Sequence, residues 1–165
     1  MNDCFRSVVE YPPRQDANGV FMRLIDGLGY RFHWATEGLT PDDYAFSPGG
    51  GCMTIGELVG HVWGLVHWVH LNVFGEGTGA PRAEDPEAQR DQIDGMLFAI
   101  RTYARTINED ALFELRVDGH PFWHIINGPL SDALTHTGQI TAFRRLNGNA
   151  VPKHYVFLAR EPEAS

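Results

Sequence analysis

The sequence is poor in cysteine, in basic charge and in long apolar runs, and each shortage closes a class of explanation. Two cysteines in 165 residues, Cys4 and Cys52, are too few for a disulfide framework or for a zinc site built on thiolates. Both read as ordinary reduced thiols. A formal net charge of -8 leaves no basic patch to meet nucleic-acid phosphates, so nucleic acid is not an expected partner. The local exception, Arg144 and Arg145 in FRRLNG, reads as a solvated helix end. No apolar run approaches the roughly 18 uncharged residues of a membrane span, and no membrane partner is expected. The stretch MNDCFRSVVEYPPRQD lacks the basic-then-apolar order of a secretory signal, which makes the cytoplasm the expected compartment. The run Gly49 to Gly51 has no strand before it and no phosphate-loop lysine after it, which argues against nucleotide binding. No serine or cysteine stands in an elbow or triad context, Cys52 included.

What is present is helical periodicity. The length suits one domain over residues 1–165, large enough to bury most of its apolar surface without staples. Asp16 is placed to cap a helix running to about Glu37, with Val20, Phe21, Leu24, Ile25, Leu28 and Phe32 on its apolar face and Gly38 and Pro41 as stops. The loop PDDYAFSPGGGCM ends at TIGE, where Thr54 and Glu57 form a capping box. A second helix is expected from Ile55 to about Phe74, closed by Gly75, Gly77 and Gly79. Asp85 and Pro86 open a third, to about Asn108, carrying Ile93, Met96, Leu97, Ile100 and Tyr103. ALFELRVDGHPFW reads as a short extended connection, since FELRV alternates weakly and DG is a turn signal. A fourth helix is expected from near Pro121 to Gly148, bent or restarted at Gly128 and Pro129. The tail KHYVFLAREPEAS is expected to add a short extended piece. Four long amphipathic helices predict an all-α protein, a four-helix bundle with sites built between facing side chains.

Eight histidines raise the question of which share a centre. Asp132 and His136 in LSDALTHTGQI lie four residues apart, one turn along one helix face, a spacing that lets both hold one ion. In the second helix, His61 falls on the stripe Thr54, Leu58, His61, Leu65, Trp68 and Asn72, which is expected to face the core. His67 and His70 lie about 240° and 180° further round and point elsewhere. Two imidazoles and a carboxylate suit a divalent metal such as Zn, Ni or Fe, with positions left for water or a small-molecule substrate. Plainer readings stand beside this one. His61 can be a hydrogen-bonded core residue, Asp132 a favourable charge in a first helical turn, and His136 with Gln139 a polar network needing no ion. Trp63, Trp68, Phe122 and Trp123 read as core or cleft wall.

MTIGELVGHVWGLVHWVHLNVFG resembles the second-helix segment of the DinB-like superfamily, where an inward histidine follows a pattern like s-i-x-e-l-x-x-H. INGPLSDALTHTGQITAFRRLNGNAVPKH is similar to the segment around that family's last metal-binding helix, with its H-x-G-Q-I and R-R-x-x-G-N-P elements. The resemblance covers about Asp16 to Pro152. It implies a four-helix bundle, commonly dimeric, that binds a divalent metal, with His61 as first ligand and His136 as last. The chain departs from the family's three-histidine pattern at Asp132. A related branch, which looks like mycothiol-dependent maleylpyruvate isomerase, has a carboxylate at that position. His33, His124 and Glu57 stand as alternative completions of the site. The activity implied is that of a metal-dependent transferase or isomerase using a low-molecular-weight thiol, or of a metal-assisted hydrolase. The alternative is a non-catalytic dimeric bundle that binds a small ligand and keeps the His/Asp cluster as a structural network.

Overall fold

The computed structural model describes residues 3–75, 80–154 and 156–161. It is mostly helical. The first long helix, α1 (Ala17–Thr36), starts where the Asp16 side chain accepts a hydrogen bond from the Gly19 N–H, as the sequence predicts. Its buried face runs through Phe21, Met22, Ile25, Leu28 and Phe32, whereas Val20, expected on that face, is exposed. Val20 precedes Phe21 by one residue, about 100° of helical rotation, and so falls outside the stripe.

Pro41 opens a helix instead of closing one. The short α2 (Pro41–Ala45) has Thr40 and Asp43 as a reciprocal capping box and proline in its first turn. The signal T-P-D-D was present in what reads as a loop; proline at the first helical position lacks only an N–H that would have no partner there anyway.

Thr54 and Glu57 then cap α3 (Ile55–Phe74), which ends at Gly75, with a φ of 92°. Gly77 and Gly79 lie outside the described residues. Asp85 caps α4 (Pro86–Thr106). The segment expected to be extended is helical in its first half, α5 (Glu109–Glu114), because the Asn108 side chain caps it. Its second half is a two-residue hairpin, β1 (Arg116–Val117) against β2 (His120–Pro121). Asp118 and Gly119 turn it with positive φ at both positions, the backbone a two-residue turn of this kind requires.

The last helical stretch starts at α6 (Trp123–Ile125), passes through a wide π-type turn over Ile126–Leu130, and continues as α7 (Ser131–Leu146). Gly128 leaves helical geometry there, at φ -94° and ψ -107°, beside Pro129, so the expected break is present. In the described part of the tail, residues 156–159 form a turn, not an extended piece. The tail is tied to the start of the chain: the Val8 N–H donates to the Ala159 carbonyl and the Tyr30 hydroxyl to that of Arg160.

Among the long helices, α3 packs against α4 and α7, and α1 packs against the same two. The core between them is built from Ile25 and Phe32 of α1, Val59 and Val62 of α3, Leu97 and Ile100 of α4 and Ile140 of α7. Among the described residues no helix is long and apolar enough to cross a membrane.

Candidate functional site

The site lies on the seam where α3 meets α7. On α3 the buried stripe is Ile55, Leu58, Val59, Val62, Val66 and Val69. This stripe is rotated by one residue from the one expected through Thr54, His61 and Trp68, so His61 sits beside the core on the rim, with 39% of its side chain exposed. The histidine of α3 that does enter the interior is His70, packed on Phe74 at a centroid distance of 4.6 Å. Burial, and secondarily the nearby His67, hold its imidazole below the ordinary histidine range.

On α7 the buried stripe is Ala133, Thr137, Ile140 and Arg144. Asp132 and His136 precede Ala133 and Thr137 by one residue each, so both flank the core on one edge of the helix. That edge faces His61. The His61 Nε2 lies 3.5 Å from Asp132 Oδ2, and the His136 Nε2 lies 3.3 Å from Asp132 Oδ1. The two imidazoles meet edge to face with centroids 4.5 Å apart. One ligand atom from each residue lies within 4.8 Å of the other two.

Donor atoms held about 2.0–2.2 Å from a shared ion at near-tetrahedral angles are about 3.3–3.6 Å apart. Each imidazole meets that separation to a different oxygen of Asp132, and the 4.8 Å spread of the three ligand atoms means that the side chains draw closer to hold one ion together. Hydrogen bonding bears on the same question. His136 Nδ1 is 2.7 Å from Gln139 Oε1, which can only accept, so Nδ1 carries the proton in that bond. In the neutral form of the ring this leaves the Nε2 lone pair toward a carboxylate oxygen. Two acceptors facing each other need a proton or a cation between them. Gln139 thereby favours the tautomer in which His136 presents Nε2 as an acceptor, the arrangement seen around metal-bound histidines.

Asp132 fits two of the readings at once, since it stands in the first turn of α7 and also in the cluster. Among the described residues this is the one group of three or more metal-ligating side chains. The alternative completions do not join it. Glu57 Oε2 accepts from the Thr54 N–H at 2.7 Å, His124 packs against His120, and His33 is buried in α1 edge-on to Trp34. His67 stacks on Trp63. Trp63 and Phe122 are core, as expected, and Trp68 lines a cleft; Trp123 is 57% exposed, against expectation, because its helix is a single short turn at the surface.

Two open clefts flank the cluster. One, of about 750 Å³, takes in Asp132 with Leu65, Trp68, Pro129 and Thr135. The other, of about 580 Å³, takes in His61 with Met53, Glu57 and Arg82. Gly64 and Leu65 line both. Gly64 and Arg82 are not among the candidate residues that the sequence pattern singles out. The signal for Gly64 was an isolated glycine inside a strong helical pattern, which carries a helix-propensity cost and asks for a reason. Arg82 gave no signal, since its role depends on what the following loop lies against. The chain matches no family model, no curated protein and no solved structure, so the chemistry of the site rests on its own geometry.

Proposed function

We propose that this protein is a divalent-metal-dependent enzyme of the DinB-like type, its four long helices forming a bundle and His61, Asp132 and His136 holding the ion. The observation that carries the reading is the meeting of the His136 Nε2 and the His61 Nε2 on the two oxygens of one carboxylate, at 3.3 and 3.5 Å. A Zn, Ni or Fe ion bound there would supply Lewis acidity and lower the pKa of a thiol or water brought to it. The residues do the remaining work: Asp132 joins the two helices, Gln139 orients His136, and Leu65 and Trp68 form an apolar wall beside the exposed side of the centre. A small-molecule substrate enters from that side, with a low-molecular-weight thiol as its co-substrate in a transferase or isomerase, or with water in a hydrolase.

Metal analysis of untagged protein tests this. Close to one equivalent of metal in the wild type, lost in His61→Ala and in His136→Ala, is the expected result. Wild type that stays metal-free after reconstitution with Zn, Ni, Fe and Mn defeats it.

The partial exposure of His61 and Asp132, at 39% and 48%, favours a second reading, a non-catalytic small-ligand binder in which the trio is a surface polar network. Under that reading Asp132→Asn leaves the melting temperature and metal content unchanged. A metal-dependent melting temperature that disappears in Asp132→Asn rejects it.

A further inference from the structure

The two clefts meet over α3 at a residue with no side chain. A Cβ built on Gly64 would find no atom within 4 Å, so the floor between the clefts is open where any other residue would raise a ridge. The clefts differ in character on either side of that saddle. Toward α7 an apolar strip of Leu65, Trp68 and Pro129 lies beside the polar Asn127, Ser131, Asp132 and Thr135. Toward the loop before α4 it includes Arg82, which is held in place by neutral groups: an Nη2 contact of 3.4 Å to the Gln89 Oε1 and the Trp63 ring at 5.8 Å. Gly60 permits this position, because a Cβ there would fall 1.9 Å from the Arg82 Nη2. Among the described residues no carboxylate reaches Arg82. Glu57, the acid in the same cleft, has its carboxylate turned to the Thr54 N–H. Arg82 is exposed, and a guanidinium that meets a neutral amide and an aromatic face retains its capacity for a carboxylate or similar anion.

We propose that the ligand of this groove is an amphipathic organic anion lying across α3 over Gly64, its anionic end on Arg82 and its apolar end against Leu65 and Trp68. Its role as substrate rests on reading the His61, Asp132 and His136 centre, which sits beside the saddle, as the reacting end of the site. Gly64 is then the specificity-determining position and Arg82 the anion-recognising one.

The test uses the full chain, as purified and again after dialysis against a chelator. Isothermal titration is run with benzoate, 3-phenylpropanoate, 5-phenylpentanoate and the neutral 5-phenylpentanamide, and metal content is measured alongside. Affinity is expected to rise with chain length among the acids, with the amide binding roughly tenfold or more weakly than its acid. Arg82→Gln should remove the difference between acid and amide. Gly64→Leu, which adds a good helix former where nothing obstructs it, should remove the advantage of the longer acids while circular dichroism and melting show a folded protein. Benzoate binding as well as 5-phenylpentanoate, the amide binding as well as the acid, or wild-type affinities in either variant overturns the proposal. Metal-free wild type that shows these dependences rejects the metalloenzyme reading and supports the ligand assignment. Stoichiometric metal with neither dependence does the opposite.

Discussion

At the scale of single residues, what distinguishes this site is how few groups set its chemistry. One carboxylate spans two imidazoles, and one amide selects the tautomer of the second. Gln139→Ala removes the acceptor for His136 Nδ1 without touching a proposed ligand. Metal affinity is expected to fall roughly 10- to 100-fold with the fold intact, the usual consequence of losing such an orienting partner. Competition against a chromophoric chelator measures it, and an unchanged affinity means that Gln139 does not orient the ring. Both ends of the pair, His136 and Gln139, were visible in H-x-G-Q-I; which atom each would present was not, because that depends on the rotamers adopted when α7 settles against α3.

At the scale of elements, the RRLNGN stretch has a structural role that its charge disguises. Arg144 reads in the sequence as part of a solvated helix end, and it is among the most buried side chains of the protein. Its guanidinium donates to the carbonyls of Trp34, Ala35 and Glu37, the last turn of α1, and to Asn149. These carbonyls have no partner within their own helix, and a buried cation is a strong donor for them. Burial lowers the Arg144 pKa, while the nearby Asp43 and Glu37 oppose that shift. Replacing the group by methionine strands those acceptors. Arg144→Met is expected to cost about 3 kcal/mol or more, a fall in Tm of roughly 6–12 °C for a chain of this length. Thermal melting followed by circular dichroism checks this, and a loss under 1 kcal/mol contradicts the role.

The same junction holds Asp43. Burial would raise its pKa, but hydrogen bonds from the Thr40 N–H, Asn149, Asn147 and the Thr40 hydroxyl outweigh it and hold the carboxyl well below its ordinary range. A carboxyl whose pKa is depressed on folding contributes stability above the unfolded value of about 3.9, and that stability is lost as pH falls toward the folded value. Asp43→Asn is expected to destabilise by about 1–3 kcal/mol at neutral pH, with the gap to wild type closing below about pH 4. A gap independent of pH means that the ionised carboxylate is not the source.

At the scale of the whole molecule, a bound ion stabilises only the state that binds it. Under the metalloenzyme reading, saturating metal at 100 times its Kd adds about 2.7 kcal/mol to the wild type. A Tm that rises with one metal, returns with a chelator, and does neither in His136→Ala is the expected pattern. The resemblance also implies a dimer. Light scattering should then report twice the 18.5 kDa mass of one chain, and a mass of one chain at working concentration removes that expectation.

The sequence alone determined the positions and limits of the long helices, because those limits are written in local chemistry. Asp16, Thr54 and Asp85 cap backbone N–H groups within three residues of themselves, and Gly75 and Gly128 with Pro129 end or bend the chain wherever they fall. It also determined which residues were candidates for an ion, since Asp132 and His136 share a helix face by spacing alone. What lay beyond it was every question set by the rotation of one helix against another. A shift of one residue in the buried stripe of α3 moved His61 to the rim and turned His70 inward, and periodicity could not tell two stripes about 100° apart in so uniformly apolar a helix. Only the packing of α3 on α7 decided that His61 meets Asp132, and only the loop before α4 decided that Arg82 crosses Gly60. Both contacts join residues distant in sequence, and nothing local to either partner encodes the other.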